Sequence, residues 1–151
     1  MAPTTRILIV CTGNSCRSQM AQGYLQSLDQ NLIVFSAGTH PEEKVNPFAI
    51  QVMIEKNVDI SQNKTNHIDD YISQPFDFVI TVCDEANEVC PVFTGRVKQR
   101  IHLGFEDPVK ASGSKEEILA QYRKIRDQIE VTFQEFYQNF ISVYKETQIN
   151  F

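Results

Sequence analysis

The chain has 151 residues, 42% of them hydrophobic and 22% charged, with a net charge of −5. That length suits one domain, residues 1–151, able to bury about two-thirds of its unfolded surface. The acidic balance and the lack of a Lys/Arg block argue against nucleic acid or an anionic membrane as partner.

The apolar run Ile7–Val10 predicts a buried strand over Arg6–Val10. Cys11-Thr12-Gly13-Asn14-Ser15-Cys16-Arg17-Ser18 follows it directly. Ser18–Leu28 then predicts a helix, with Met20, Ala21, Tyr24, Leu25 and Leu28 at helical spacing. A strand-to-helix turn of this kind aims backbone N–H groups inward at the positive end of a helix. An oxyanion fits on the N–H groups of Thr12, Gly13, Asn14, Ser15, Cys16 and Arg17, with the Arg17 guanidinium closing the cradle. The same field favours the thiolate of Cys11 as nucleophile, and the Ser18 hydroxyl is placed to donate to its sulfur. Gly13 and Asn14 are residues that tolerate left-handed backbone. Cys16 reads as packing, although its N–H belongs to the cradle.

Leu32–Ser36 predicts the second strand, closed by Ala37-Gly38. Asn46 and Pro47 open a helix running to about Asn57. Phe76–Val82 and Arg100–Leu103 predict a third strand and a short fourth. Ser114-Lys115-Glu116-Glu117 is a capping box. It starts a long helix with the stripe Ile118, Tyr122, Ile125, Ile129, Phe133, Phe136, Phe140 and Val143, expected to face the sheet. Alternating strands and helices imply a parallel α/β sheet. There is no internal repeat, low-complexity tract or linker-like shift in composition.

In such a sheet Cys11, Cys83 and Asp107 all fall at the carboxyl edge, where open α/β folds bind ligands. Asp107, in Gly104-Phe105-Glu106-Asp107-Pro108, suits a general acid for a leaving oxygen, with Glu106 pointing elsewhere. Cys83 and Cys90 are open to three readings: small buried residues, a zinc site, or a thiol relay from Cys11. No histidine adjoins either cysteine in sequence, and no metal ligand set is assigned. The helical composition of 84–89 would hold their Cα atoms about 10 Å apart, whereas a disulfide needs roughly 4.4–6.8 Å. A Cys83–Cys90 bond therefore requires that segment to unwind. His40, His67 and His102 receive no role. No apolar run reaches the length of a membrane span, and the residues before Cys11 are too short for a signal peptide. A cytoplasmic location is the resulting expectation.

Cys11–Ser18 with Asp107-Pro108 resembles the low-molecular-weight protein tyrosine phosphatase superfamily. Cys83 and Cys90 make the chain similar to its thioredoxin-coupled arsenate reductase branch. The likeness extends over Ser36-Ala37-Gly38, Val45-Asn46-Pro47 and Thr81-Val82-Cys83. It implies a four-stranded parallel sheet flanked by helices in three layers. It also implies reduction of arsenate by a relay through Cys11, Cys83 and Cys90, with an exposed Cys83–Cys90 bond regenerated by thioredoxin. No bound cofactor is implied, and a monomer is expected. Some relatives hold potassium near the loop with acidic side chains; Gln22 and His67 stand at the aligned positions here, which leaves a potassium site doubtful. Two other functions compete: a phosphatase acting on phosphotyrosine or small phosphoesters, and a non-catalytic oxyanion or redox sensor.

Overall fold

The computed structural model describes residues 4–149. Four strands form one parallel sheet in the order β2-β1-β3-β4: β1 (Arg6–Cys11), β2 (Ile33–Gly38), β3 (Phe76–Thr81) and β4 (Val97–His102). The helices are α1 (Arg17–Leu28), α2 (Pro47–Ile54), α3 (Lys115–Phe136) and α4 (Ser142–Ile149). Single 3-10 turns occupy Ile68–Tyr71 and Pro108–Lys110. This is the low-molecular-weight phosphatase-like arrangement, a parallel sheet flanked by helices.

β1 is apolar from Ile7 to Cys11 because both of its faces are covered. Ile7 and Ile9 point into the larger core with Met20, Leu25, Val52, Phe78, Ile125 and Phe133. Leu8 and Val10 point to the opposite face, against Val79, Ile68 and Phe93. That second face is completed by aromatic packing of Phe35, Tyr71, Phe76 and Phe93, with ring centroids 5.2–6.2 Å apart.

The elements differ from the sequence expectation where a local signal was overridden. β2 continues through Ala37 and Gly38, because Gly38 still pairs with Cys11. A Cβ on Gly38 would lie 2.3 Å from the Thr12 carbonyl oxygen, so only glycine lets β2 lie this close to the loop after β1. α2 stops at Ile54 rather than near Asn57. Asn57 adopts φ 62°, a left-handed residue that ends the turn. β4 starts at Val97, three residues before the expected Arg100. It is an edge strand whose Lys98, Gln99 and Arg100 are exposed, which conceals the apolar strand signal.

The long C-terminal stripe is right as far as Phe136. Ser114 and Glu117 form the capping box, and Tyr122, Ile125, Ile129, Phe133 and Phe136 are buried. A π turn at Tyr137–Ile141 then advances the register. Ile141 turns inward with no exposed surface, while Phe140 and Val143 are 54% and 53% exposed instead of facing the sheet.

Candidate active site

The loop between β1 and α1 is shaped by where its carbonyls go. Thr12, Gly13 and Ser15 turn their C=O groups outward, accepting from the backbone N–H groups of His40, Glu42 and Asn46 at 2.8–2.9 Å. The Asn14 carbonyl accepts from the Gln19 amide at 3.1 Å. Across a trans peptide the following N–H points the other way. The N–H groups of Gly13, Asn14, Ser15 and Cys16 therefore turn toward the cleft these residues line. No side chain caps the N-terminus of α1, leaving that positive end directed at the same place. The cleft has a volume of about 550 Å³ and is walled by the loop, His40, Lys44, Glu88, Asp107 and Lys110.

Asn14 holds the loop together. It is fully buried at φ 50°, the left-handed conformation asparagine tolerates better than most residues. Its N–H donates to the Cys11 sulfur at 3.2 Å. Its amide donates to Ser18 and Ser36 at 2.8 and 2.9 Å, and its Oδ1 accepts from the Asn66 N–H at 2.8 Å. Gly13, by contrast, is not left-handed; among the described glycines only Gly113 has positive φ. The Ser18 hydroxyl sits 3.0 Å from Cys11 Sγ. With its own oxygen accepting from Asn14, that hydroxyl is left to donate to the sulfur.

Cys16 is buried, and burial, reinforced by Asp107 and Cys11, pushes its thiol well above 9.0. It stays neutral and packs in the core, as the sequence suggested. Tyr122 is likewise pushed up to about 12, mainly by burial, and accepts a hydrogen bond from the Asn46 amide.

Arg17 lies beneath the cleft with 4% of its surface exposed. One guanidinium nitrogen donates to the Phe105 carbonyl at 3.1 Å, and another stands 3.6 Å from Asp107. Its strongest partner was not anticipated. Glu88 takes both guanidinium nitrogens at 2.9 Å, and Thr12 Oγ1 donates to the same carboxylate at 3.4 Å. Burial alone would lower the Arg17 pKa, but Glu88, Asp107 and Cys11 outweigh it and raise it above its ordinary value. The acidity of the segment around Glu88 was visible in sequence. Its approach to Arg17 depends on how the segment folds back.

That segment is unwound. Cys83 and Cys90 form a disulfide with Cα atoms 5.7 Å apart, and Asp84–Glu88 makes a turn instead of the helix its composition favours. Asp84 organises the turn: its carbonyl accepts from the N–H groups of Asn87 and Glu88, and its carboxylate from Ala86 and Asn87. The disulfide is less open than expected. Cys83 has no exposed surface and Cys90 is half-buried. Val82 donates to the Val10 carbonyl across the β1–β3 ladder, so Cys83 leaves the sheet edge beside Cys11. His102, remote from both cysteines in sequence, offers a ring nitrogen within 4.8 Å of both sulfurs. The absence of a histidine near these cysteines holds in sequence but not in space, because β4 runs beside β3.

Asp107 stands at the cleft mouth. Its carboxylate accepts from the Val109 N–H at 3.0 Å and caps the 3-10 turn that begins with Pro108. Glu106 is exposed and does not line this cleft. Gln22 lies behind the loop, donating to the Val34 carbonyl at 3.1 Å and accepting from Ser36 at 2.6 Å. His67 caps the turn at Ile68–Tyr71.

The family model for low molecular weight phosphotyrosine protein phosphatase matches residues 6–148. An arsenate reductase of Halalkalibacterium halodurans is 45% identical over 124 residues, spanning 82% of this chain and 88% of that protein. An arsenate reductase of Bacillus subtilis is 42% identical over 131 residues, spanning 86% and 93%. Among solved structures, an arsenate reductase in its phosphate-binding state superposes with a TM-score of 0.73 at 28% identity, covering 88% of this chain and 96% of the other. A chain matched from its first strand to its last helix, with a cysteine-to-arginine loop at the matching sheet edge, belongs to the low molecular weight phosphotyrosine protein phosphatase family.

Proposed function

We propose that this protein reduces arsenate to arsenite through three cysteines and is regenerated by thioredoxin. The observation that carries the reading is the Cys83–Cys90 disulfide at the sheet edge beside Cys11, on the same face as an oxyanion loop. A phosphatase of this fold needs Cys11, Arg17 and an acid, but it has no use for a second and third thiol. The similarity to arsenate reductases over most of the chain supports the same choice.

Arsenate is a tetrahedral oxyanion and binds on the inward N–H groups and Arg17. The Cys11 thiolate attacks arsenic, and Asp107 protonates the departing oxygen, which leaves as water. The Cys83 thiolate then attacks Cys11 Sγ. The sulfur–arsenic bond breaks, its electron pair passes to arsenic, and As(V) becomes As(III). Arsenite departs and Cys11–Cys83 is formed. Cys90 attacks Cys83, releasing the Cys11 thiolate and giving the disulfide seen in the structure. A dithiol reductant restores both thiols by exchange. Val89 and Val92, 91% and 77% exposed, flank Cys90 and supply an apolar surface for that partner.

A phosphoester in the same loop would lose its alcohol to give a Cys11 thiophosphate, which water hydrolyses to phosphate with no reduction of phosphorus. The cleft does not favour an aromatic phosphoester: Val109 and Lys110 follow Asp107-Pro108, and no Phe, Tyr or Trp is among the described residues lining it. The test is arsenate-dependent NADPH oxidation with thioredoxin and thioredoxin reductase, run beside glutathione and glutaredoxin. Turnover with thioredoxin supports the relay. Hydrolysis of an aryl phosphate with no arsenate turnover in either system would assign the protein to the phosphatases.

A further inference from the structure

We propose that the reduced protein binds a thiophilic divalent cation of the zinc type at Cys83, Cys90 and His102. The three ligand atoms lie within 4.8 Å of one another. Two thiolates and an imidazole are a common zinc donor set. Sulfurs bound to tetrahedral zinc at about 2.3 Å lie about 3.8 Å apart. Zinc thus bridges two sulfurs at a separation that Cα atoms 5.7 Å apart can span, and it replaces the disulfide as the constraint that keeps the 84–88 turn.

The imidazole is held as a ligand would be. Its Nδ1 is hydrogen-bonded to the Thr81 hydroxyl at 2.7 Å, which leaves Nε2 as the metal-binding nitrogen and fixes the ring plane. Gly104 provides the space: a Cβ there would lie 2.8 Å from that Nε2. Glu85 places a carboxylate oxygen 3.8 Å from the same nitrogen, within reach of the fourth position. The donor atoms come from β4 and from two points of the β3–β4 connection, apart from the residues that line the oxyanion cleft.

Binding involves no electron transfer. Two thiols lose two protons as zinc takes up two thiolates, so affinity falls as pH falls. The disulfide form has no thiolates to offer and does not bind. The consequence for turnover rests on the arsenate-reductase reading: a zinc-held Cys83–Cys90 pair cannot attack Cys11 and stalls the relay. The site itself does not depend on that reading.

The test is equilibrium dialysis of zinc against full-length protein, reduced with a phosphine and kept anaerobic, with metal and free thiols counted. One zinc per chain is expected, with two thiols protected from alkylation. Cadmium should give a thiolate charge-transfer absorbance. Cys90→Ser and His102→Ala should lose the high-affinity zinc. Thr81→Val should weaken it about tenfold or more by freeing the ring, and Cys11→Ser should retain it. His102 is exposed at the sheet edge, so its replacement leaves the core untouched. Absence of zinc binding by the reduced wild type would overturn the proposal. Equal binding by wild type and His102→Ala, or loss of zinc in Cys11→Ser, would also overturn it by placing the metal elsewhere.

Discussion

In the disulfide form, the chain's own carboxylate occupies Arg17, the arginine proposed to bind the oxyanion. Glu88 makes two N–H···O contacts of 2.9 Å with a guanidinium that is almost fully buried, and its own side chain is 17% exposed. Unit charges about 4 Å apart interact by about 4 kcal/mol at an effective dielectric near 20. Desolvation of both groups takes back part of this, leaving about 1.5–3 kcal/mol for a charge-assisted pair. An incoming oxyanion must displace this contact before it can use Arg17. Glu88→Gln keeps the shape and removes the charge. It should therefore tighten oxyanion binding to the disulfide form by about 10–100-fold. The assay is calorimetric titration of the oxidised protein with sulfate, a tetrahedral anion that neither arsenates nor phosphorylates Cys11. Sulfate affinities of wild type and Glu88→Gln within about twofold of each other would refute the argument that Glu88 competes for the cradle.

Perturbations at four other residues test separate parts of the structure. Cys83→Ser should abolish arsenate reduction while sparing slow aryl phosphate hydrolysis. Cys90→Ser should give no more than one turnover, with Cys11–Cys83 trapped and visible by mass after alkylation; multiple turnovers with thioredoxin would remove Cys90 from the relay. Asn14→Ala leaves Ser18, Ser36 and the Asn66 N–H without their partner and puts a Cβ-bearing residue without a local hydrogen bond at φ 50°. It should cost about 2–4 kcal/mol in urea unfolding, with Asn14→Gly recovering only the backbone share; both variants matching wild type would show the loop to be held elsewhere. Glu55, bound by Arg123 and Arg126 of α3, has its carboxyl lowered from 4.5 to about 2. A depressed folded-state value gives stability that is present above pH 4.5 and lost as pH falls toward 2. Because Glu55 is 35% exposed, solvent screening limits this to about 1 kcal/mol. Glu55→Gln should therefore lower stability at pH 7 by that amount and flatten the acid limb of a melting-temperature profile; an unchanged limb would assign it to other carboxylates.

The local features of the fold were legible because local chemistry writes them. The loop from Cys11 to Ser18, the Asn46-Pro47 helix start and the Ser114–Glu117 capping box each depend on residues a few positions apart. What sequence did not show depends on distant segments. Phe140 and Val143 continue a 3.6-residue period that the π turn interrupts, and nothing in their spacing announces it. His102 joins Cys83 and Cys90 only because β3 and β4 are neighbours, a pairing partly concealed by the polar residues of an edge strand. Glu88 reaches Arg17 across 71 residues, and only with the 84–89 segment unwound.

That last contact links redox state to the anion site. The segment between Cys83 and Cys90 has helical composition, yet in the disulfide form it is a turn, because a helix would hold the two Cα atoms about 10 Å apart and they stand at 5.7 Å. Unwinding changes the direction of every side chain it carries, and Glu88 is the one that lands on the cradle. A chain that has just formed Cys83–Cys90 therefore presents a neutralised Arg17 to the next oxyanion. On the proposed cycle that is the moment when binding would be unproductive, since no thiol remains at Cys83 to complete reduction. In the metal-free protein, reduction of the disulfide removes the constraint that holds the turn, and with it the carboxylate. The order of events, regeneration before rebinding, then follows from chain geometry. It predicts that the oxidised wild type binds sulfate more weakly than the reduced protein, and that Glu88→Gln abolishes most of the difference. Titrating both redox forms of both proteins measures this directly, and an equal gap in wild type and variant would place the redox dependence elsewhere in the loop.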